Sequence, residues 1–116
     1  MKTRLDELLA ILHIGHDTSM RGEGISLNQA LSRVSYREVR RSFSAQDLVP
    51  LIQAHNELVM QWVMYSQDKR TSGGWYLTEA GDIGQVNGSS STIHFESIEE
   101  AVAEYVVREL DFWATF

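Results

Sequence analysis

The chain has 116 residues, of which 43% are hydrophobic and 22% are charged, and it contains three Trp, four Tyr, four Phe and no Cys. This composition is typical of one globular domain with a substantial core, and it excludes disulfides, thiolate catalysis and cysteine-ligated zinc. The net charge of −6 weighs against nucleic-acid binding, because contacts to phosphate supply most of that affinity.

The sequence also sets an expected location. No apolar run approaches the roughly 18 residues that cross a bilayer, and the segment Met1–Glu7 lacks the long uncharged stretch of a signal peptide. We therefore expect a cytoplasmic protein with no membrane partner, folded as a single domain over residues 1–116.

The N-terminal part predicts several helices. Thr3 and Asp6 form a capping box that opens a first helix with a leucine-rich apolar stripe, and Gly15 is a plausible stop signal for this helix. A loop is expected over 17–24. Two short helices are predicted over 27–34 and 36–43, and helices this short depend on packing for their stability.

A longer central helix is predicted next. Ser44 and Asp47 form another capping box, and apolar residues then recur at helical spacing as far as Val63. Because an interior proline loses a hydrogen bond and clashes with the preceding turn, we expect a brief turn at 45–48 and place Pro50 in the first turn of a helix that starts near Val49. His55 is expected at the core or its boundary, with a hydrogen-bond partner.

The pattern changes after Gly73 to a small β region. It predicts strands at 75–78, around Ile83 and at 92–95, with Asn87-Gly88 as the turn before the last strand. A final helix is expected from 98 to about 113. The predicted fold is α+β: a mainly helical N-terminal part, a small three-stranded antiparallel sheet, and a C-terminal helix beside the central one.

Catalytic motifs have little support in this sequence. His13-Ile14-Gly15-His16 matches a signature of class I aminoacyl-tRNA synthetases, but it ends an amphipathic helix, whereas the signature follows a buried strand. His13, His16 and Asp17 lack a companion that would complete a metal site. No nucleophile elbow or phosphate-binding loop occurs. We predict that the protein is not an enzyme and uses no cofactor or metal.

The charge is divided unevenly along the chain. Residues 1–43 carry seven basic and five acidic groups, whereas residues 44–116 carry three basic and eleven acidic groups. Between Glu79 and Asp111 there are eight carboxylates and one cation, Arg108. Such a surface favours a cationic partner and accelerates its association; the alternative is an acidic face that only maintains solubility. The predicted partner-binding residues are Glu79, Asp82, Glu96, Glu99, Glu100 and Glu104.

One basic cluster supports a different function. The segments 27–34 and 36–43 could form a helix-turn-helix with Arg37, Arg40 and Arg41 on its recognition helix, which would make the protein a nucleic-acid-binding regulator. Alternatively, these arginines pair with carboxylates of the same chain.

Two C-terminal segments carry a resemblance to a known class of protein. The run Asp68–Leu77 leads into the predicted meander, and Ile93-His94-Phe95-Glu96-Ser97-Ile98-Glu99-Glu100-Ala101 enters a closing helix that ends Glu109-Leu110-Asp111-Phe112-Trp113. This layout resembles the small bacterial immunity proteins of contact-dependent growth inhibition and related polymorphic toxin systems.

The resemblance implies a cytoplasmic, non-catalytic inhibitor that binds one cognate toxin domain, often a nuclease and therefore basic. It covers only the chain from residue 68 onward, and it assigns no role to Asp68–Leu77. A small protein-interaction module with some other protein partner is the remaining alternative.

Overall fold

A computed structural model describes residues 3–19, 23–69, 73–86 and 92–114. Within these ranges the chain forms seven α-helices, one short 3-10 helix and one three-stranded antiparallel sheet, which confirms the α+β class. The helices are α1 (Arg4–Leu12), α2 (Ile14–Asp17), α3 (Leu27–Arg33), α4 (Tyr36–Val39), α5 (Ala45–Ala54), α6 (Glu57–Asp68) and α7 (Ile98–Ala114), and the strands are β1 (Trp75–Leu77), β2 (Asp82–Gln85) and β3 (Ile93–His94).

The first helix starts as predicted but ends earlier. The Thr3 hydroxyl accepts a hydrogen bond from the backbone N–H of Asp6 at 3.1 Å, and the Asp6 carboxylate accepts one from the Thr3 N–H at 3.3 Å. The prediction that Gly15 ends this helix is wrong, since α1 stops at Leu12 and Gly15 lies inside α2. Gly15 is buried there because the Trp62 ring packs directly on it.

The prediction for the start of the central helix is also wrong. α5 begins at Ala45, with the Asp47 carboxylate accepting from the Ser44 N–H at 2.8 Å, and Pro50 lies within the helix. The capping box fixes this start, and the proline then removes only the donor for the exposed Gln46 carbonyl. α5 ends at Ala54, and α6 begins at Glu57, so two helices replace the predicted single long helix.

The segment after α3 does not form one continuous helix. Ser35 adopts a left-handed conformation with φ of 53°, and α4 then spans four residues before the 3-10 helix Arg40–Ser42. The predicted helix over 36–43 is therefore split in two.

The predicted meander is present, with strand order β1-β2-β3. Tyr76 pairs with Gly84, and Ile83 pairs with Ile93. Gly81 ends the turn between β1 and β2 with φ of +90°, and its carbonyl accepts from the Phe95 N–H at 2.9 Å. The predicted Asn87-Gly88 turn lies outside the described residues.

The core is centred on α7. This helix packs against α5, α6 and β1, as predicted for a C-terminal helix beside the central segment. Its apolar side packs with fully buried side chains from the rest of the chain, among them Ile11, Tyr36, Leu48, Trp62 and Ile83. In the ranges that the structure describes, no helix combines the length and apolar character needed to cross a bilayer.

Candidate functional site

The eight carboxylates between Glu79 and Asp111 divide into two that form close ion pairs with Lys or Arg and six that do not. Glu109 is fully buried, and its oxygens lie 2.9 Å from the Lys69 ammonium. The same carboxylate accepts from the Tyr65 hydroxyl at 2.8 Å, the Trp75 backbone N–H at 2.7 Å and the Trp113 indole at 3.0 Å. Glu109 therefore holds α6, β1 and α7 together and contributes nothing to the surface.

Asp111 is the second carboxylate with strong partners within the fold, and its side chain is half-buried. It accepts from the Arg40 guanidinium at 2.8 Å and from the Tyr36 hydroxyl at 2.7 Å. The hydrogen bond from Arg40 to Asp111 raises the pKa of Arg40, and burial, followed by the contact with Asp111, raises the pKa of Tyr36. The negative charge of Asp111 is therefore balanced within the fold.

The six remaining carboxylates are the predicted partner-binding residues, and we call them the acidic surface. Three of them lie around one end of the sheet, and the other three lie on the first half of α7. They are Glu79, Asp82 and Glu96, and Glu99, Glu100 and Glu104. The antiparallel register pairs Asp82 with His94, so the β1–β2 turn and the exit from β3 lie at the same end of the sheet. α7 begins four residues after β3, which brings the two sets to neighbouring positions in the fold.

The acidic surface is only weakly neutralised. Asp82 lies 2.7 Å from the His94 ring, and Glu104 lies 3.7 Å from Arg108. The Arg108 guanidinium also lies 4.9 Å from the centre of the Trp75 ring. Its distance to Glu104 is longer than that of a hydrogen bond. Within the described ranges, the other four carboxylates of the acidic surface have no ion pair.

Two exposed carboxylates in other parts of the fold have an arginine partner. Glu23 lies 3.1 Å from Arg33, and Asp47 lies 3.6 Å from Arg4. Among the described residues, five Lys or Arg side chains form ion pairs, and one of these five, Arg108, pairs with a carboxylate of the acidic surface. The acidic surface is therefore distinguished by the clustering of six carboxylates, which share Arg108 as their one Lys or Arg partner within the described ranges.

The predicted basic cluster is largely occupied by contacts within the chain. Arg33 pairs with Glu23, and Arg40 pairs with Asp111, as the alternative interpretation of this cluster expected. Arg37 donates to the Ala114 carbonyl at 2.8 Å, while Arg41 is exposed. The predicted recognition helix is not continuous, since α4 has four residues and carries Arg37, whereas Arg40 and Arg41 lie in the 3-10 helix that follows.

His13 and His16 do not form a metal site with neighbouring residues. His13 is exposed at the junction of α1 and α2, and His16 is half-buried. Among the residues that the structure describes, no three His, Asp or Glu side chains are grouped so that they could hold a metal ion.

One feature next to the acidic surface was not predicted from the sequence. A groove of about 490 Å3 lies between α5 and α7, and we call it the α5–α7 groove. It is lined by Ala45, Gln46, Val49, Pro50, Phe95, Glu100, Ala103 and Glu104. The small side chains Ala45 and Ala103 were visible in the sequence, but only the packing of the two helices shows that they face the same space.

No known protein family, curated protein or solved structure matches this chain. The geometry and charge of the acidic surface are therefore the basis on which a function can be argued.

Proposed function

We propose that this protein is a non-catalytic inhibitor of the immunity-protein type, which binds and neutralises a basic toxin domain, a nuclease, through the acidic surface. The observation that carries the proposal is the division of carboxylates. Glu109, which is buried, and Asp111, which is half-buried, form close ion pairs, whereas four of the six carboxylates on the acidic surface have no ion-pair partner among the described residues. Arg37 and Arg40 contact Ala114 and Asp111, so they do not neutralise the charge of the acidic surface.

Charge complementarity supports a partner that is a basic protein. Nucleases hold phosphate backbones with clusters of Lys and Arg, and a protein that presents carboxylates in a similar density competes for the same cleft. Complementary charge accelerates encounter and excludes wrong partners. Inhibition of this kind requires only binding, so it needs no cofactor and no catalytic residue.

The first half of α7 is the best place to test the proposal. Glu99 and Glu100 lie in its first turn, and Glu104 follows one turn later. The test measures association with the toxin domain encoded immediately upstream of this chain's gene, by stopped-flow at several salt concentrations. We expect Glu99→Lys, Glu100→Lys and Glu104→Lys together to reduce the association rate at low salt by about tenfold or more, and to flatten its salt dependence.

A matched control carries the same change in net charge at other positions. Glu7→Lys, Glu38→Lys and Asp68→Lys reverse three carboxylates outside the acidic surface. The control should retain most of the wild-type rate. If a folded α7 triple variant binds as fast as the wild type, or if it still protects cells that express the toxin domain equally well, the acidic surface is not the binding site.

Nucleic-acid binding through Arg37, Arg40 and Arg41 is the alternative prediction. The contacts of Arg37 with Ala114 and of Arg40 with Asp111 reduce its support. A gel-shift assay over a range of salt concentrations separates the two, because a regulator would shift DNA or RNA with a steep salt dependence.

A further inference from the structure

We propose that the α5–α7 groove is the anchor point of the acidic surface and that it accepts an arginine side chain of the protein partner. This inference rests on the proposed function, and it specifies the chemistry of the contact. Charge attraction accelerates binding, but tight binding also needs a desolvated centre with a well-fitted side chain. The α5–α7 groove is the cavity on the described part of the chain that adjoins the acidic surface.

The groove combines an apolar floor with acceptors at its rim. Ala45, Val49, Pro50, Phe95 and Ala103 supply the apolar surface, and the groove volume of about 490 Å3 falls within the usual range of about 300–1,000 Å3 for ligand pockets. Glu100 and Glu104 stand at the rim and project from the same face of α7, because they are four residues apart.

Pro50 adds a further acceptor to this part of the fold. A proline inside a helix has no N–H, so the carbonyl of Gln46 lacks the donor that the next turn normally supplies. Gln46 and Pro50 both line the groove. A ligand with several hydrogen-bond donors can therefore bond to the Gln46 carbonyl as well as to the carboxylates of Glu100 and Glu104.

Arginine fits this combination better than the other cationic side chains. Its aliphatic stem packs on apolar surface, and its planar guanidinium carries five N–H donors with a fixed geometry. Lysine offers a point charge that does not match paired acceptors as well. Arginine is also enriched among the residues that dominate interface energies.

The experiment uses N-acetyl-arginine methylamide as the probe and the whole chain, followed by NMR chemical shifts during titration. Citrulline has the same shape without the charge, so N-acetyl-citrulline methylamide is the control ligand. We expect saturable shifts for residues 45–50, Phe95 and Ala103 with the arginine compound only. Glu100→Gln with Glu104→Gln should weaken binding about fivefold, the effect of removing two partly exposed charge partners.

Two further variants test the location of the site. Gln46→Trp should block the groove and abolish the shifts, whereas Gln53→Trp places the same side chain on an exposed position of α5 outside the groove and should leave binding intact. Glu79→Gln with Glu96→Gln is the control for loss of charge alone, and it should have little effect.

Three results would overturn the inference: equal binding of citrulline, shifts without saturation, or equal weakening by the Glu79/Glu96 pair. The assay contains no toxin, so a failure here leaves the toxin-binding test standing. Conversely, arginine binding at the groove together with failure of the toxin assay would support the groove and reject the proposed toxin partner.

Discussion

Gly15 lies where the Trp62 ring leaves no room for a Cβ atom. A Cβ added at this position would lie 2.9 Å from Cδ2 of the Trp62 ring, which is too close for packed atoms. The ring is held in place because its indole N–H donates to the Leu12 carbonyl at 2.8 Å. The glycine of the His13–His16 segment thus has a packing role, which separates it from the nucleotide-binding signature that these four residues match.

We predict that Gly15→Ala lowers the free energy of unfolding by about 1–2 kcal/mol, because overpacking against Trp62 outweighs the gain in helix propensity. Propensity alone predicts the opposite sign, a gain of about 0.5–1 kcal/mol. Urea denaturation distinguishes the two. Gly73→Ala is the control, because its Cβ would meet Phe112 at 3.4 Å and Trp113 at 3.5 Å, close to ordinary contact distance. A stabilised Gly15→Ala variant would contradict the packing argument.

At the scale of elements, the buried carboxylate of Glu109 joins three parts of the fold. Lys69 follows the last residue of α6, Trp75 begins β1, and Trp113 lies one turn further along α7. Since all of them donate to one carboxylate, the orientation of the sheet relative to the two helices is fixed by a charged group inside the core. Replacing one partner leaves the other buried and unpaired, which is far more costly than losing a surface pair.

We predict that Glu109→Gln destabilises the protein by about 3–5 kcal/mol. Glu104→Gln is the control: it removes a partly exposed pair with Arg108 and should cost less than about 1 kcal/mol. Lys69→Met combined with Glu109→Gln should be less destabilising than the sum of the single changes, with a coupling of about 1–3 kcal/mol in denaturant titrations. Strict additivity would show that Lys69 and Glu109 do not stabilise each other.

At the scale of the whole molecule, three buried or half-buried tyrosines make stability sensitive to alkaline pH. Burial is the main cause that raises the pKa values of Tyr36, Tyr65 and Tyr105 above the ordinary value of 10.0, and nearby carboxylates add to the shift. Above pH 10, tyrosines of the unfolded chain lose their phenolic protons, whereas the same tyrosines in the folded chain retain them. The contribution of these protonated tyrosines to the free energy of unfolding is therefore fully present below pH 10, and it is lost as the pH rises above 10.

We predict that the free energy of unfolding falls above pH 10 by up to about 4 kcal/mol per pH unit for these three groups together. Tyr65→Phe should reduce this slope by about a third, whatever its effect on stability at neutral pH. Denaturant titrations between pH 8 and pH 12 measure the slope, and phenolate absorbance counts the groups that ionise in the folded state. An unchanged slope in Tyr65→Phe would show that Tyr65 ionises equally in both states.

Much of the secondary structure could be predicted because it depends on neighbours along the chain. The capping boxes at Thr3 and Ser44 use residues three apart, and α7 follows an apolar stripe with helical spacing. One error had a distant cause and another a local one. Trp62, far from Gly15 in sequence, determined the role of this glycine. At Pro50 two local signals competed, and the Ser44–Asp47 capping box outweighed the proline, which therefore lies inside α5.

The sequence predicted which carboxylates belong to the candidate site, but it did not predict which carboxylates form ion pairs within the fold. The sequence showed eight carboxylates and one cation between Glu79 and Asp111. It did not show that Arg40 reaches Asp111 across 71 positions of sequence, or that Lys69 reaches Glu109 across 40. These pairs neutralise two of the eight carboxylates, and the six that are left are the predicted partner-binding residues.

The sequence by itself determined the α+β class, the order of the helices and strands, and the excess of negative charge in the C-terminal part, because helical period, capping and composition act locally. Only the tertiary structure decided which carboxylates are neutralised, why Gly15 is required, and where α5 and α7 leave a groove beside Glu100 and Glu104. The physical reason is that pairing and packing depend on which distant residues the folded chain brings within a few ångströms of each other.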